Sequence, residues 1–120
     1  MRRASVLLAL VFVACATTRT VSDRLFCGLS IPTGGSVTQQ DLDAFIEQAV
    51  TPRFPQGFTV WRAKGQWKGG NEEVMILEFL HPNEPGASQK VAEIAAEYRR
   101  RFHQEAVLRV TVPAQMELEQ

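Results

Sequence analysis

Phe58-Thr59-Val60-Trp61-Arg62-Ala63-Lys64-Gly65-Gln66-Trp67-Lys68, then Gly69-Gly70, then Val74-Met75-Ile76-Leu77-Glu78-Phe79-Leu80-His81 read as two strands around a tight hairpin turn. The first run is rich in β-formers. The second is apolar on both parities, as expected of a strand covered on both faces. Helical patterns flank the pair. Upstream, Ser36 with Gln39, or Thr38 with Asp41, resembles a capping box, and Leu42, Phe45, Ile46 and Ala49 follow at helical spacing until Pro52. Downstream, the loop from His81 to Gly86 ends near Ser88, a candidate cap, and Val91, Ile94, Ala95, Tyr98 and Phe102 form one stripe.

A first strand spans Arg24 to Pro32, with Leu25, Cys27, Leu29 and Ile31 on one parity, and a fourth spans Val107 to Val112. The order is β-α-β-β-α-β. It predicts an α+β, ferredoxin-like sandwich: a four-stranded antiparallel sheet in the order 4-1-3-2, with two helices on one face.

The N-terminus predicts a compartment. Arg2 and Arg3 precede an apolar run from Ala4 to Ala14, and Cys15 follows directly. A basic start, a short apolar segment and a small-residue exit are the layout of a secretory signal. The 11 apolar-run residues fall short of the roughly 20 needed to span a bilayer. Residues 1–14 are read as a lipoprotein-type signal peptide, Cys15 as the lipidated residue, 15–23 as a tether, 24–113 as the folded domain and 114–120 as a tail. A competing cut after Ala16 would discard Cys15 and release a soluble periplasmic protein. A Cys15–Cys27 disulfide is the lesser alternative.

Signal removal leaves 11 basic against 13 acidic side chains. That balance lacks the basic excess of phosphate-backbone binding, so no nucleic-acid partner is expected. The expected partners are a membrane, through the N-terminal lipid, a second copy of the chain, and an envelope partner whose identity the sequence does not give.

Leu25-Phe26-Cys27-Gly28-Leu29-Ser30, Thr51-Pro52-Arg53-Phe54-Pro55-Gln56-Gly57, Gly65-Gln66-Trp67 and Gln104-Glu105-Ala106-Val107-Leu108-Arg109-Val110 resemble an uncharacterised bacterial family, DUF3574. Together these stretches run across nearly the whole domain. The resemblance implies an exported small domain and brings no assigned activity, substrate or catalytic residue. Cys27 stands where an aromatic is expected, which argues against an essential thiol.

The chemistry-bearing residues support no reaction. Cys27 shares the parity of Leu25 and Leu29 and reads as an inert core thiol. His81 with Glu84, and His103 with Glu105, are too few for a metal site, so no metal or other cofactor is expected and loop or cap roles are assigned. Thr33-Gly34-Gly35-Ser36 lacks the lysine of a phosphate loop and reads as a plain turn. Arg99-Arg100-Arg101 reads as a solvated helix end favoured by the helix dipole.

The sheet face away from the helices is the main candidate. Phe26, Gly28, Ser30, Trp61, Ala63, Val74, Ile76, Glu78, Val107 and Arg109 are assigned to it, while Leu108 and Val110 are assigned inward. Glu78 and Arg109 are expected to meet over Gly28. So apolar a face implies an interaction site. The leading reading is a non-enzymatic, membrane-tethered interaction module that self-associates through Phe26, Gly28, Trp61, Ile76, Glu78 and Arg109. Cover by the tail comes second. The alternative is a small enzyme or ligand binder with a pocket on that face.

Cys15 lipidation predicts an N-terminal mass increase of one diacylglycerol in the native host, abolished by Cys15→Ser. An unmodified chain beginning at Thr17 would establish ordinary cleavage instead.

Overall fold

Thr20–Gly28 forms β1, the strand on which the sheet is built. The computed structural model describes Ala9 and residues 19–120, so the signal reading of residues 1–14 and the lipidation of Cys15 lie outside the described residues. β1 pairs antiparallel with β3 (Gly70–Pro82) on one side and β4 (Leu108–Pro113) on the other, and β3 pairs with β2 (Thr59–Trp67). The order β2-β3-β1-β4 is 4-1-3-2 read from the opposite edge, as the element pattern predicts. Helix α1 (Gln39–Phe45) runs into a wider π-helical turn, Ile46–Val50, and α2 spans Pro85–Arg101. None of the described helices is long and apolar enough to cross a membrane.

The elements start where local chemistry starts them. Thr38 and Asp41 form the capping box of α1: each side chain accepts a hydrogen bond from the other residue's backbone N–H. Proline sits at the first turn of α2, where its missing N–H costs nothing. Ser88, expected to cap α2, lies one turn inside it. The hairpin turns at Lys68-Gly69, one residue earlier than predicted, with both residues at positive φ (48° and 80°). Such dihedrals match the right-handed strand twist, which is why a two-residue hairpin adopts them.

Leu25, Cys27, Met75, Leu77 and Phe79 face both helices and bury completely against Leu42, Phe45, Val91, Ile94 and Tyr98. Phe45, Tyr98 and Phe102 pack as an aromatic trio with centroids 4.8–6.0 Å apart. The Cys27 thiol is free and buried, and burial pushes its pKa up, so the inert-thiol reading holds.

β1 begins four residues earlier than expected. Thr20 to Asp23 belong to the sheet and not to a tether, and Asp23 is completely buried. That buried charge organises one end of the molecule. Arg109 donates to both carboxylate oxygens at 2.8 Å, and Thr111 donates its hydroxyl to Oδ1. His81 Nε2 lies 2.5 Å from Oδ2 while Nδ1 lies 2.7 Å from the Pro82 carbonyl. Both ring nitrogens thus have an oxygen partner, one on β1 and one on the β3 backbone. Arg109 also donates to the Ser88 hydroxyl and carbonyl, tying α2 to β4. His81 is therefore a core-side residue of β3, not a loop residue.

Burial would raise the Asp23 pKa. Hydrogen bonds from Arg109, Thr111 and His81, with the Arg109 charge, outweigh it and hold the carboxyl at about 2, below its ordinary 3.8. A depressed carboxyl stabilises the fold above its unfolded pKa, and the benefit fades as pH falls from about 4 towards 2. Urea unfolding should show that acid limb. Asp23→Asn should lower stability at pH 7 by about 3 kcal/mol, because Arg109 loses its counter-charge, and should flatten the limb. An unchanged urea midpoint would refute the role.

Candidate functional site

Register decides which side chains share a face, because residues directly opposite on neighbouring strands point the same way. Phe26 lies opposite Ile76 and Leu108, and Ile76 lies opposite Trp61. Gly28 lies opposite Val74, which lies opposite Ala63. The expected open-face positions Phe26, Gly28, Trp61, Ala63, Val74, Ile76 and Glu78 are thus together on one surface.

β4 is inverted relative to expectation. Arg109 lies opposite Leu25 and Thr111 opposite Asp23, so both point to the helix side, while Leu108 and Val110 lie on the open face. Val107 packs against the core rather than outward. Apolar alternation alone puts Leu108 and Val110 inward. The buried Asp23 reverses that preference, because an unpaired buried carboxylate costs far more than leaving Leu108 exposed and Val110 half-buried.

Glu78 therefore does not meet Arg109 over Gly28. It lies opposite Arg24, which donates to it at 2.7 Å, with Ser22 donating at 2.9 Å. The Arg24 hydrogen bond is the main reason its pKa is lowered. Arg24 in turn reaches over the Trp61 ring at 5.8 Å. Trp61, Arg24, Ser22 and Glu78 form a satisfied polar patch toward the Asp23 end of the sheet.

The other end of the open face is hollow. A pocket of about 560 Å³ lies over Gly28, in the range of small-ligand sites. Its floor is the apolar sheet surface of Phe26, Ala63, Val74 and Ile76; the β2–β3 hairpin and the segment from Gln104 to Leu108 form its walls. Lys68 in the hairpin pairs with Glu105 at 2.8 Å and joins the two walls. The Lys68 hydrogen bond is the main cause of the lowered Glu105 pKa.

Two polar groups converge on the floor. A Cβ at Gly28 would lie 2.9 Å from the Glu72 carboxyl carbon and 3.0 Å from Gln104 Oε1. A side chain at this position would have to move the ends of Glu72 and Gln104 aside, while the backbone dihedrals place no demand for glycine. From the helix side the Tyr98 hydroxyl donates to the Gly28 carbonyl at 2.6 Å, which fixes the strand end to α2.

Neither Glu72 nor Gln104 was among the candidates expected from sequence. Glu72 has the parity of Val74, Ile76 and Glu78, so the signal exists once β3 is extended back to Gly70. Gln104 stands within one of the quoted family-like stretches. Thr33 to Ser36 is the plain turn expected: the Gly34 N–H donates to the Ile31 carbonyl and the Ile31 N–H to the Gly35 carbonyl. His103 follows α2 at φ 51°, a helix-terminating role. Arg101 pairs with Glu97 and lies over Phe45. No cluster of three or more metal-ligating side chains occurs among the described residues. Met116 and Leu118 in the tail are exposed, so the tail does not cover the open face.

Comparison with protein families matches residues 22–118 to the family described as "Protein of unknown function (DUF3574)". No curated protein matches the chain. Two solved structures share the fold. A phage SAM lyase in complex with S-methyl-5′-thioadenosine is 20% identical, with TM-score 0.56 over 81% of this chain and 83% of that one. A phage SAM lyase in the apo state is 18% identical, with TM-score 0.57 over 91% and 87%. At such identity the likeness is one of fold.

The expectation of a non-enzymatic module that self-associates through its open sheet is corrected by these findings. The solved structures sharing the fold are those of an enzyme. The face itself carries a walled pocket with a carboxylate on its floor, not a flat apolar seam.

Proposed function

The chain belongs to the DUF3574 family, and since that family carries no assigned chemistry, we propose from the site itself that it is a small-ligand enzyme working in the pocket over Gly28. The observation carrying this reading is the pocket's composition: an apolar floor with one carboxylate and one amide converging on a glycine. Such sites use a greasy surface for affinity and a few placed polar groups for orientation. The ligand proposed is of the adenosyl-sulfur kind, S-adenosylmethionine or its thioether product. That choice takes its support from the phage SAM lyase fold, in which S-methyl-5′-thioadenosine is the bound molecule. A flat nucleobase suits the apolar floor of Phe26 and Ile76. The ferredoxin-like label for the βαββαβ sheet, and export of the domain across a bacterial membrane with Cys15 as its lipid anchor, belong to the same proposal.

The test is thermal unfolding with and without S-adenosylmethionine or S-methyl-5′-thioadenosine, alongside chromatography for conversion of the first into the second. The expected outcome is ligand-dependent stabilisation, rising with concentration by mass action. Gly28→Leu should abolish it, since the added side chain must displace Glu72 and Gln104 and fill the pocket. Circular dichroism of that variant checks the fold. Stabilisation that survives Gly28→Leu would refute the pocket as the site.

A further inference from the structure

The two side chains that close on Gly28, Glu72 and Gln104, both turn oxygens toward it, and that favours one sign of ligand charge there. Gln104 donates both of its amide hydrogens, to the Ser30 carbonyl at 2.8 Å and the Phe102 carbonyl at 3.2 Å. Two carbonyls on the same side require the amide nitrogen there, so Oε1 is the atom turned toward Gly28. Beside it lies the Glu72 carboxylate, which forms no ion pair among the described residues. Lys68, in the hairpin turn, is engaged by Glu105. Lys64 lines the rim, but its register partner is Glu73, on the parity facing away from Glu72. The Tyr98 hydroxyl is spent on the Gly28 carbonyl from the other face.

The result is a pole with two convergent oxygens, one of them charged, over the apolar surface of Phe26, Val74 and Ile76. An apolar setting strengthens the attraction between opposite charges. A cation placed there pairs with the Glu72 carboxylate. An anion, such as a phosphate ester, placed over Gly28 would be repelled by Glu72 and would face the Gln104 carbonyl oxygen. We infer that the pocket holds its ligand by a positively charged group, a sulfonium or an ammonium, seated over Gly28 between the Glu72 carboxylate and Gln104 Oε1. This deepens the reading of the pocket as the functional site and rests on it.

The test is calorimetric titration of the full chain and its Glu72→Gln variant with cationic S-adenosylmethionine and uncharged S-methyl-5′-thioadenosine. Glu72→Gln keeps the shape of the side chain and removes only its charge. The wild type should bind the cationic ligand at least about tenfold tighter, a difference of about 1.4 kcal/mol. Glu72→Gln should weaken the cationic ligand by about tenfold and the uncharged one by less than about threefold. Equal affinities in the wild type, or equal losses for both ligands in the variant, would overturn the charge inference and leave the pocket standing. If neither ligand binds the wild type, the inference and the adenosyl reading fall together.

Discussion

Gly28 couples the two faces of the sheet. It ends the internal strand β1, and its carbonyl receives the Tyr98 hydroxyl from the aromatic core beneath. Above it, the missing side chain is the space into which Glu72 and Gln104 converge. A methyl group would push both away, and with them the polar pole of the pocket. The core trio of Phe45, Tyr98 and Phe102 thus positions the floor of a site it never touches. Gln104 follows the end of α2, with its backbone N–H donating to the Arg99 carbonyl. The helix that packs the core therefore also sets the wall.

The opposite end of β1 solves a different polar problem. Asp23 is buried, and its oxygens are taken by Arg109, Thr111 and His81. One carboxylate gathers β1, β3 and β4, and Arg109 extends the cluster to α2 through Ser88. Its acceptors are saturated and enclosed, so it has structural work and no opening for a ligand. Glu72, on the same sheet but the other face, borders the pocket and has no counter-charge among the described side chains. The contrast between an enclosed, fully partnered carboxylate and one that opens onto a pocket separates scaffold from site.

Much of the fold was legible in the chain. Alternation in β1, the hairpin between β2 and β3, and the helical stripe ending at Phe102 each reflect burial against one core, and burial is what sequence periodicity records. The open-face positions of β1, β2 and β3 followed from the same parity. What failed was electrostatic or topological. Asp23 looked like part of a polar tether, so its need for Arg109 and Thr111 was invisible, and β4 was assigned upside down. Glu72 was lost because Gly70-Asn71-Glu72-Glu73 has no apolar pattern; backbone pairing with β2 extends the strand there regardless of side chains. Gln104 acts through a loop conformation that periodicity does not encode. Without Glu72 and Gln104, the open face shows mainly apolar surface in the sequence, which is the pattern of an interface rather than of a pocket.

Amide chemical-shift mapping of the isotope-labelled chain during titration with S-adenosylmethionine tests the central claim most directly. The account predicts saturable shifts clustered at Gly28, Glu72, Val74 and Gln104, with Asp23, His81 and Arg109 unmoved. Shifts centred on the Asp23 cluster or the helix face, or none at Gly28, would contradict it.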